Sequence, residues 1–238
     1  MRGMRLRQIS LMVLSGLWCV KHLPAQASAD RAIETIQSAS PQPDEKRLFG
    51  IIPNYRTSPS LQNYIPLSAH QKFKLATEDA FDRGTFLLAA GFAGEGQLSK
   101  ASPSFGQGVE GYAHYFVTSY ADWALGDYMT EAIFPTMLHQ DPRYFRKGTG
   151  STFKRMTYAM SQIFWTHTDS GGHMFNFSEV GGNAAASAIS QAYYPDSRGA
   201  GNFVSKLAIQ IGVDMASNVV KEFYPDLRHA LSKKRNAN

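Results

Sequence analysis

Cysteine, long apolar runs and charge are all scarce in this chain of 238 residues. Its single cysteine, Cys19, excludes an intramolecular disulfide and a thiolate cluster for a metal. The longest apolar stretch, residues 9–20, has about 12 residues, too few for a helix that crosses a bilayer of roughly 30 Å. Charged residues make up only 18% of the chain, but hydrophobic residues make up 43%, which predicts a folded domain.

The first 29 residues have the three parts of a secretory signal peptide. Arginines at the start precede the apolar stretch, and the small-residue segment "AQASA" predicts cleavage after Ala27 or Ala29. We therefore expect export across the inner membrane and a periplasmic or outer-membrane-associated protein. An uncleaved membrane anchor is the alternative, because Lys21 and His22 lie between the apolar stretch and the cleavage site.

Removal of residues 1–29 would take away four basic groups and no acidic one. Lys and Arg fall from 24 to 20 against 19 Asp and Glu, so the formal net charge falls from +5 to +1. The basic character therefore belongs mostly to the predicted signal peptide, and nucleic acid is not an expected partner.

The rest of the chain predicts a leader, one helical domain and a short tail. Residues 30–47 are polar and punctuated by proline, which predicts a flexible leader. Residues 48–68 contain three prolines, which forbid a helix, and enough apolar side chains to predict an extended strap across the body of the protein. The domain covers residues 48–228 with this strap included, and residues 229–238 form a basic tail.

Apolar spacing after the strap predicts an all-α fold, a single bundle of about five to six helices. Ser68 and Gln71 form a predicted capping box at the first helix. A glycine-rich loop at 94–108 separates this helix from the longest segment, which Pro135 breaks. We expect helices over residues 69–92, 109–138, 152–166, 178–194 and 201–224, the last two ended by Pro195 and Pro225.

Small residues recur every four positions in the last two helices. This spacing puts them on one face of each helix, where two backbones can approach closely. We therefore predict a C-terminal antiparallel hairpin of small-residue helices; its insertion in a membrane is a further alternative, although polar and charged residues interrupt both helices. The residues of the pattern are Ala184, Ala188 and Ala192 in one helix and Ala208, Gly212 and Ala216 in the other.

One group of histidine and aspartate residues has the composition of a metal site. His114 and Asp122 share a stripe of the longest segment, and His139 and Asp141 follow that segment. Imidazole and carboxylate groups on facing helices can build a metal or proton-transfer site in a bundle. The repeated ligand motif of such bundles is absent, so we favour a solvated helix face and expect neither a metal nor another cofactor.

A dense group of basic residues follows the longest helical segment. Arg143, Arg146 and Lys147 could bind phosphate or the headgroups of anionic lipids. The alternative, which we favour, is a solvated loop at a helix C-terminus, where the backbone dipole stabilises cations.

The segment "HTDSGGHMFNFSEV", residues 167–180, is the best candidate for a reaction centre. His167, Asp169 and His173 carry the nitrogen and oxygen donors that zinc prefers. Their order matches neither the zincins nor the metallo-β-lactamases. We therefore favour a turn that leads into a helix capped by Ser178.

Parts of this region are similar to the second half of the phosphatidic-acid phosphatase family. The similar segments are "SGGH" before an alanine-rich helix, "YYPDSR" at its end and a later "GVD". The resemblance implies a helical enzyme that forms a phospho-histidine intermediate and holds phosphate with basic side chains. This chain departs from the family by the extra glycine in "SGGH", by having no histidine between Arg198 and His229, and by lacking the family's first motif.

A broader resemblance runs from "LFGIIPNYRTSP" to "KEFYPDL", through "SYADW", "HQDPRYF" and "FWTHTDSGG". These segments resemble an uncharacterised family of exported bacterial envelope proteins to which no activity is attached. The resemblance implies export and one helical domain, and it assigns no catalytic residue.

We therefore expect an exported, non-catalytic helical protein of the cell envelope that binds a lipid, a membrane surface or an envelope protein partner. Aromatic side chains, 12% of the chain, suit an apolar groove in such a bundle. The alternative function is hydrolysis of phosphate esters, metal-dependent or similar to phosphatidic-acid phosphatase, by His167, Asp169 and His173 with Arg143. Convergence of these four side chains in one pocket would favour the enzyme.

Overall fold

The computed structural model describes residues 47–48, 52–58 and 64–235, and it is mostly helical, which confirms the predicted all-α class. The predicted signal peptide and residues 30–46 lie outside the described residues. A π-helical segment, Tyr128–Ile133, joins the third helix to the fourth. The helices are α1 (Ala69–Ala80), α2 (Arg83–Ser99), α3 (Gly108–Asp127), α4 (Phe134–Leu138), α5 (Thr152–Ser161), α6 (Phe177–Ser190) and α7 (Ala200–Arg235).

Three short two-stranded ladders connect the loops, and the sequence did not predict them. Each strand has two or three residues, too few for the alternation of apolar and polar residues that marks a strand. β1 (Arg47–Leu48) pairs antiparallel with β2 (Ile52–Pro53), β3 (Thr57–Ser58) pairs parallel with β4 (Tyr144–Phe145), and β5 (Trp165–His167) pairs antiparallel with β6 (His173–Phe175).

The described part of the strap contains short strands and turns rather than helix, as predicted. It ends at Ser68, whose side chain and that of Gln71 form the predicted capping box of α1. Arg56 fastens the strap to the body, since its Nε donates a hydrogen bond to the carbonyl of Pro142 at 3.1 Å. The parallel pairing of β3 with β4 adds a second attachment close by.

The helix predicted over residues 69–92 is two helices. α1 ends at Ala80, and the side chain of Asp82 caps α2 by accepting a backbone hydrogen bond at 2.7 Å. Asp is a strong N-cap, and this signal outweighs the continuous apolar spacing. The first part of the predicted loop at 94–108 is also wrong, because α2 continues to Ser99.

The longest segment is broken, as predicted, but the break begins before Pro135. α3 ends at Asp127, and the π-helical segment carries the chain into α4, which has Pro135 in its first turn. Single π-helical turns occur frequently at functional sites. This one holds Glu131, which is only 1% exposed.

A hairpin replaces the end of the helix predicted over residues 152–166. α5 stops at Ser161, and β5 and β6 form the hairpin. Its turn includes Gly171, whose φ of 85° lies in the left-handed region that favours glycine. The predicted turn in "HTDSGGH" is therefore confirmed.

Three helix ends differ from the prediction. α6 ends at Ser190, four residues before the predicted end at Tyr194, so Pro195 does not stop it. Asn176 caps α6, while the hydroxyl and N–H of Ser178 both donate to the side-chain oxygen of Gln140. α7 does not stop at Pro225 but continues to Arg235. Pro225 has no N–H and therefore removes one hydrogen bond from the helix. The Arg155 side chain donates a hydrogen bond to the carbonyl of Glu222, three residues before Pro225.

α6 and α7 pack antiparallel, as predicted. Three hydrogen-bonded pairs of polar residues join the two helices. From one pair to the next the residue number rises by about one helical turn in α6 and falls by about one turn in α7, as expected for antiparallel helices. The pairs are Asn183 with Asp214, Ser187 with Gln210 and Ser190 with Lys206.

The predicted small-residue face of α7 is wrong, because Ala208, Gly212 and Ala216 are exposed. No atom lies within 4 Å of a Cβ built on Gly212. On α6, close packing involves Gly182 rather than the predicted alanine series, since a Cβ there would come within 3.0 Å of the Met129 backbone. Polar pairs, not small residues, therefore form the α6–α7 seam.

The interior of the described chain is unusually polar. It buries 24 polar or charged residues but only 13 apolar ones, of which seven are alanine. Large apolar side chains lie outside instead, for example Leu98 and Val109, which are 88% and 90% exposed. Domains of soluble proteins normally bury apolar residues and expose polar ones, so the distribution in this domain is the reverse of the usual one.

Glu222 joins α7 to the loop before α5. Its buried carboxylate accepts hydrogen bonds from the Tyr144 hydroxyl at 2.6 Å and Arg155 Nε at 2.8 Å. The backbone N–H groups of Lys147 and Gly148 donate to it at 3.0 and 2.9 Å. Burial is the largest influence and would raise the pKa of Glu222, but the four hydrogen bonds together outweigh it, so the pKa lies below its usual value.

We predict that Glu222→Ala lowers the free energy of unfolding by about 3–5 kcal/mol, because it breaks the buried ion pair with Arg155 and leaves the Tyr144 hydroxyl and two backbone N–H groups without their acceptor. Arg155 keeps its second ion pair, with Asp226 at 2.5 Å. Glu222→Gln is the control, because it keeps the side-chain volume and one acceptor oxygen, and it should cost less. Urea denaturation of the three proteins measures both effects. A loss below about 1 kcal/mol for the alanine variant would contradict the assigned role.

Candidate functional site

The hairpin brings His167 and His173 into contact. They are opposite each other in the β5–β6 ladder, and their ring centroids lie 4.0 Å apart. His167 is 3% exposed, and neither of its ring nitrogens has a hydrogen-bond partner among the described residues. Burial, and then the charge of His173, lower the pKa of His167, which favours the neutral imidazole.

The other predicted catalytic groups are held by partners. Lys72 lies 2.7 Å from Asp169 in an ion pair. Arg143 pairs with Asp141 at 2.6 Å, and the Tyr64 hydroxyl donates to the same carboxylate at 2.8 Å. The two histidines therefore meet, but Asp169 and Arg143 are engaged in ion pairs of their own.

The predicted metal ligands are also engaged separately. His114 is exposed and lies edge-on to Phe105 with ring centroids 5.6 Å apart. His139 is exposed at the end of α4, and Asp122 forms an ion pair with Lys206 at 2.7 Å. Within the described residues, no group of three or more His, Cys, Asp or Glu side chains could hold a metal ion.

The predicted anion-binding residues differ in their surroundings. Arg143 is held by Asp141, and Arg146 lies 3.8 Å from Asp226. Lys147 is exposed, with its ammonium group 5.2 Å from the centre of the Tyr158 ring. Of the three, Lys147 is therefore the best placed to meet an external anion.

A cluster of charged side chains lies inside the bundle, where the sequence did not predict one. Arg56 donates hydrogen bonds to Glu131 at 3.2 Å and to Glu179 at 2.9 Å. Asn183 donates to Asp214 of α7 at 3.1 Å. These contacts bring together the strap, the π-helical segment, α6 and α7.

Carboxyl groups outnumber cations in this cluster, so some of them are protonated. Burial raises the pKa of Glu131 well above its usual value, and the charge of Asp79 raises it further. Asp79 Oδ1 and Glu131 Oε2 are both buried without a hydrogen-bond partner among the described residues. Burial and the charge of Glu179 raise the pKa of Asp214 to about 8. The members of the cluster are Arg56, Asp79, Asp127, Glu131, Glu179, Asp214 and Lys221.

A group of exposed apolar side chains extends along the chain from α5 to the start of α6, and we name it the aromatic–methionine face. The spacing of its α5 residues places them on one side of that helix, and Phe175 joins the hairpin part through ring contacts with Phe164, Trp165 and Phe177 at 5.0–6.4 Å. The face consists of Phe153, Met156, Met160, Phe164, Trp165 and Phe177, which are 36–69% exposed.

Sequence reasoning missed the charged cluster for a specific reason. Its organising cation, Arg56, is a single charge inside the apolar strap, and Glu179 has the ordinary position of an acid in a first helical turn. An isolated charge in an apolar segment was the one available signal. The aromatic–methionine face was equally hidden, because it needs the hairpin that the sequence did not predict.

The chain matches no protein-family profile, no curated protein and no solved structure. Both resemblances noted in the sequence therefore remain predictions. In the described part of the chain, each helix is too short or too polar to cross a bilayer.

Because the pKa of Asp214 rises from 3.8 to about 8, the folded state binds this proton more tightly than the unfolded state does. Its contribution to stability is complete below pH 3.8 and is lost as the pH rises towards 8. We predict that Asp214→Asn, compared with the wild type, gains stability between pH 5 and 8 by about 1 kcal/mol per pH unit and levels off above.

Urea denaturation from pH 5 to 9 measures this difference. Asp196→Asn is the control, since a hydrogen bond from Ser104 lowers the pKa of this carboxyl group and its effect should be constant over the range. A constant difference for Asp214→Asn would show that the group is ionised throughout.

Proposed function

We propose that this protein is a non-catalytic, exported helical protein that binds the surface of an anionic lipid bilayer. The aromatic–methionine face is the observation that supports the proposal. Phe, Trp and Met are the side chains that commonly enter the boundary between headgroups and acyl chains when a protein lies on a membrane.

The face offers enough apolar surface for reversible binding. Full burial of a Phe or Met side chain contributes about 1.5–3 kcal/mol, and the six side chains of the face are roughly half exposed beforehand. Trp165 is 54% exposed, and tryptophan is enriched at membrane interfaces because its ring is apolar and its N–H is polar.

Charge favours a lipid surface as the occupant of this face. Lys154 follows Phe153 in the first turn of α5, and Lys147 lies in the loop before that helix. Both lysines are exposed, and cations near an anionic bilayer contribute about 1 kcal/mol each.

The apolar side chains Leu98 and Val109 lie on α2 and in the first turn of α3. Their exposed charged neighbours in sequence are Glu95, Lys100 and Glu110, which together carry one net negative charge. An anionic surface would therefore meet attraction at α5 and repulsion at α2 and α3.

Hydrolysis of phosphate esters is the second candidate, favoured by the contact between His167 and His173. A phospho-histidine mechanism needs free cations around the nucleophile to hold the phosphate. Arg143 is already bonded to Asp141 and to the carbonyl of Ile65, which reduces its capacity to bind phosphate. We therefore rank this function below membrane binding.

We predict that the protein co-sediments with vesicles of phosphatidylcholine and phosphatidylglycerol, and that Phe153→Glu with Trp165→Glu weakens binding at least tenfold. The double variant loses two apolar side chains that would be buried in the bilayer, and it places two negative charges against the anionic lipid. Vesicle sedimentation over a range of lipid concentrations measures the affinity.

The matched control is Leu98→Glu with Val109→Glu. These two apolar side chains are more exposed than Phe153 and Trp165 but lie outside the aromatic–methionine face, so the change should alter binding less than threefold. Each protein is produced with its complete N-terminus in a Gram-negative host. The mass of the exported chain then shows whether residues 1–29 are removed, as expected. Equal losses for both double variants would refute the assignment to this face.

We predict that the wild type and His173→Ala release phosphate from phosphatidic acid or p-nitrophenyl phosphate at the same background rate and retain equal, substoichiometric amounts of metal. Phosphate release and elemental analysis on the same samples are the measurements. Activity or a bound metal that disappears in His173→Ala would favour the hydrolase instead.

A further inference from the structure

A cavity of about 270 Å³ lies between α2, α3, the end of α6 and the first half of α7. It opens to solvent, because three exposed residues, Glu95, Asn202 and Ser205, are among those that line it. Its volume is far larger than the roughly 30 Å³ that one water molecule occupies in the liquid. The cavity can therefore admit a dissolved molecule from the surface.

One wall of the cavity is aromatic. The rings of Phe92 on α2 and Trp123 on α3 both line it, and their centroids lie 5.5 Å apart. Ile209 of α7 adds an aliphatic side chain to the lining. An engineered apolar cavity of about 150 Å³ holds benzene, so a volume of about 270 Å³ suits an apolar body of roughly two fused rings.

Two of the three charged side chains at the cavity neutralise each other. Asp122 pairs with Lys206 at 2.7 Å, and it accepts hydrogen bonds from the hydroxyls of Tyr193 at 2.6 Å and Tyr194 at 2.9 Å. The Lys206 ammonium also donates to Ser190 and lies 3.6 Å from the centre of the Tyr194 ring. This pair therefore adds no net charge to the cavity.

The third charged side chain, Glu95, is free to meet a ligand. It makes no hydrogen bond or ion pair with another described residue, and it is exposed. Phe92, Glu95 and Gly96 have the spacing that puts residues on one side of a helix, and all three line the cavity. The cavity therefore carries one net negative charge, which lies where the cavity opens.

We propose that this cavity binds one organic monocation, with a flat apolar body of about two fused rings inside and its charged nitrogen beside Glu95. The apolar lining supplies most of the affinity, since removal of apolar surface from water is the main favourable contribution to such binding. Glu95 supplies the preference for a positive charge, which is small because water screens an exposed ion pair. The site shares no residue with the aromatic–methionine face and does not depend on membrane binding.

The test uses three ligands with the same ring system: the cation 1-naphthylmethylamine, the neutral 1-naphthalenemethanol and the anion 1-naphthoate. Equilibrium dialysis in low salt, on protein produced with its complete N-terminus, should give one bound molecule per chain. The amine should bind about threefold more tightly than the alcohol, and the anion most weakly. Equal affinities for the amine and the alcohol, or tightest binding of the anion, would overturn the assignment of a cation.

Glu95→Gln tests the contact with the charged nitrogen. It keeps the side-chain volume and removes the charge, so it should abolish the preference for the amine and leave the affinity for the alcohol within twofold. Glu110→Gln is the matched control, because it removes another exposed carboxylate, on α3, that does not line the cavity, and it should keep the preference. Loss of the preference in both variants would show an effect of overall charge and would refute the contact with Glu95.

Two further variants test the cavity itself. Ser205 lines the cavity at an exposed position of α7, so Ser205→Phe places a ring where the cavity opens and should weaken all three ligands at least tenfold. Val204→Phe adds the same ring at the neighbouring exposed position, which does not line the cavity, and should leave the affinities within twofold. Unchanged binding in Ser205→Phe, or no binding to the wild type, would refute the site.

Discussion

The double ion pair of Arg56 with Glu131 and Glu179 is the contact on which the rest of the structure depends. One guanidinium group joins the strap to the π-helical segment and to α6 at distances of 2.9–3.2 Å. Both carboxyl groups are almost completely buried, so loss of Arg56 would leave Lys221 as the one cation among the five carboxyl groups of the cluster. The strap is therefore an integral part of the helical body rather than a covering over a finished core.

A polar interior and an apolar exterior are two results of the same arrangement. Because acidic, amide and basic groups occupy the centre, space for large apolar side chains inside is small, and alanine provides much of the apolar packing. Bulky residues such as Phe153 and Trp165 remain outside, where they supply the proposed membrane contact. The buried charged cluster holds the helices together, and the exposed apolar side chains are left available for contact with a membrane.

The fold class, the broken segment at Pro135, the capping box at Ser68 and the turn in "HTDSGGH" could be predicted from sequence, because each depends on local backbone chemistry. Contacts between distant elements could not. Arg56 and Glu179 are 123 residues apart, and although Arg56 is an isolated charge in an apolar segment, its sequence surroundings do not identify its partner. The four-residue repeat of small side chains in α7 was misleading, because spacing identifies a face but not what lies against it.

The attachment of the strap also orders the events of folding. Arg56 pairs with residues 75 and 123 positions further along the chain, so the first part of the domain to be synthesised waits for some of the last. Pairings of such long sequence separation form slowly. The strap therefore completes its ion pairs only after α6 has been synthesised, about 120 residues later.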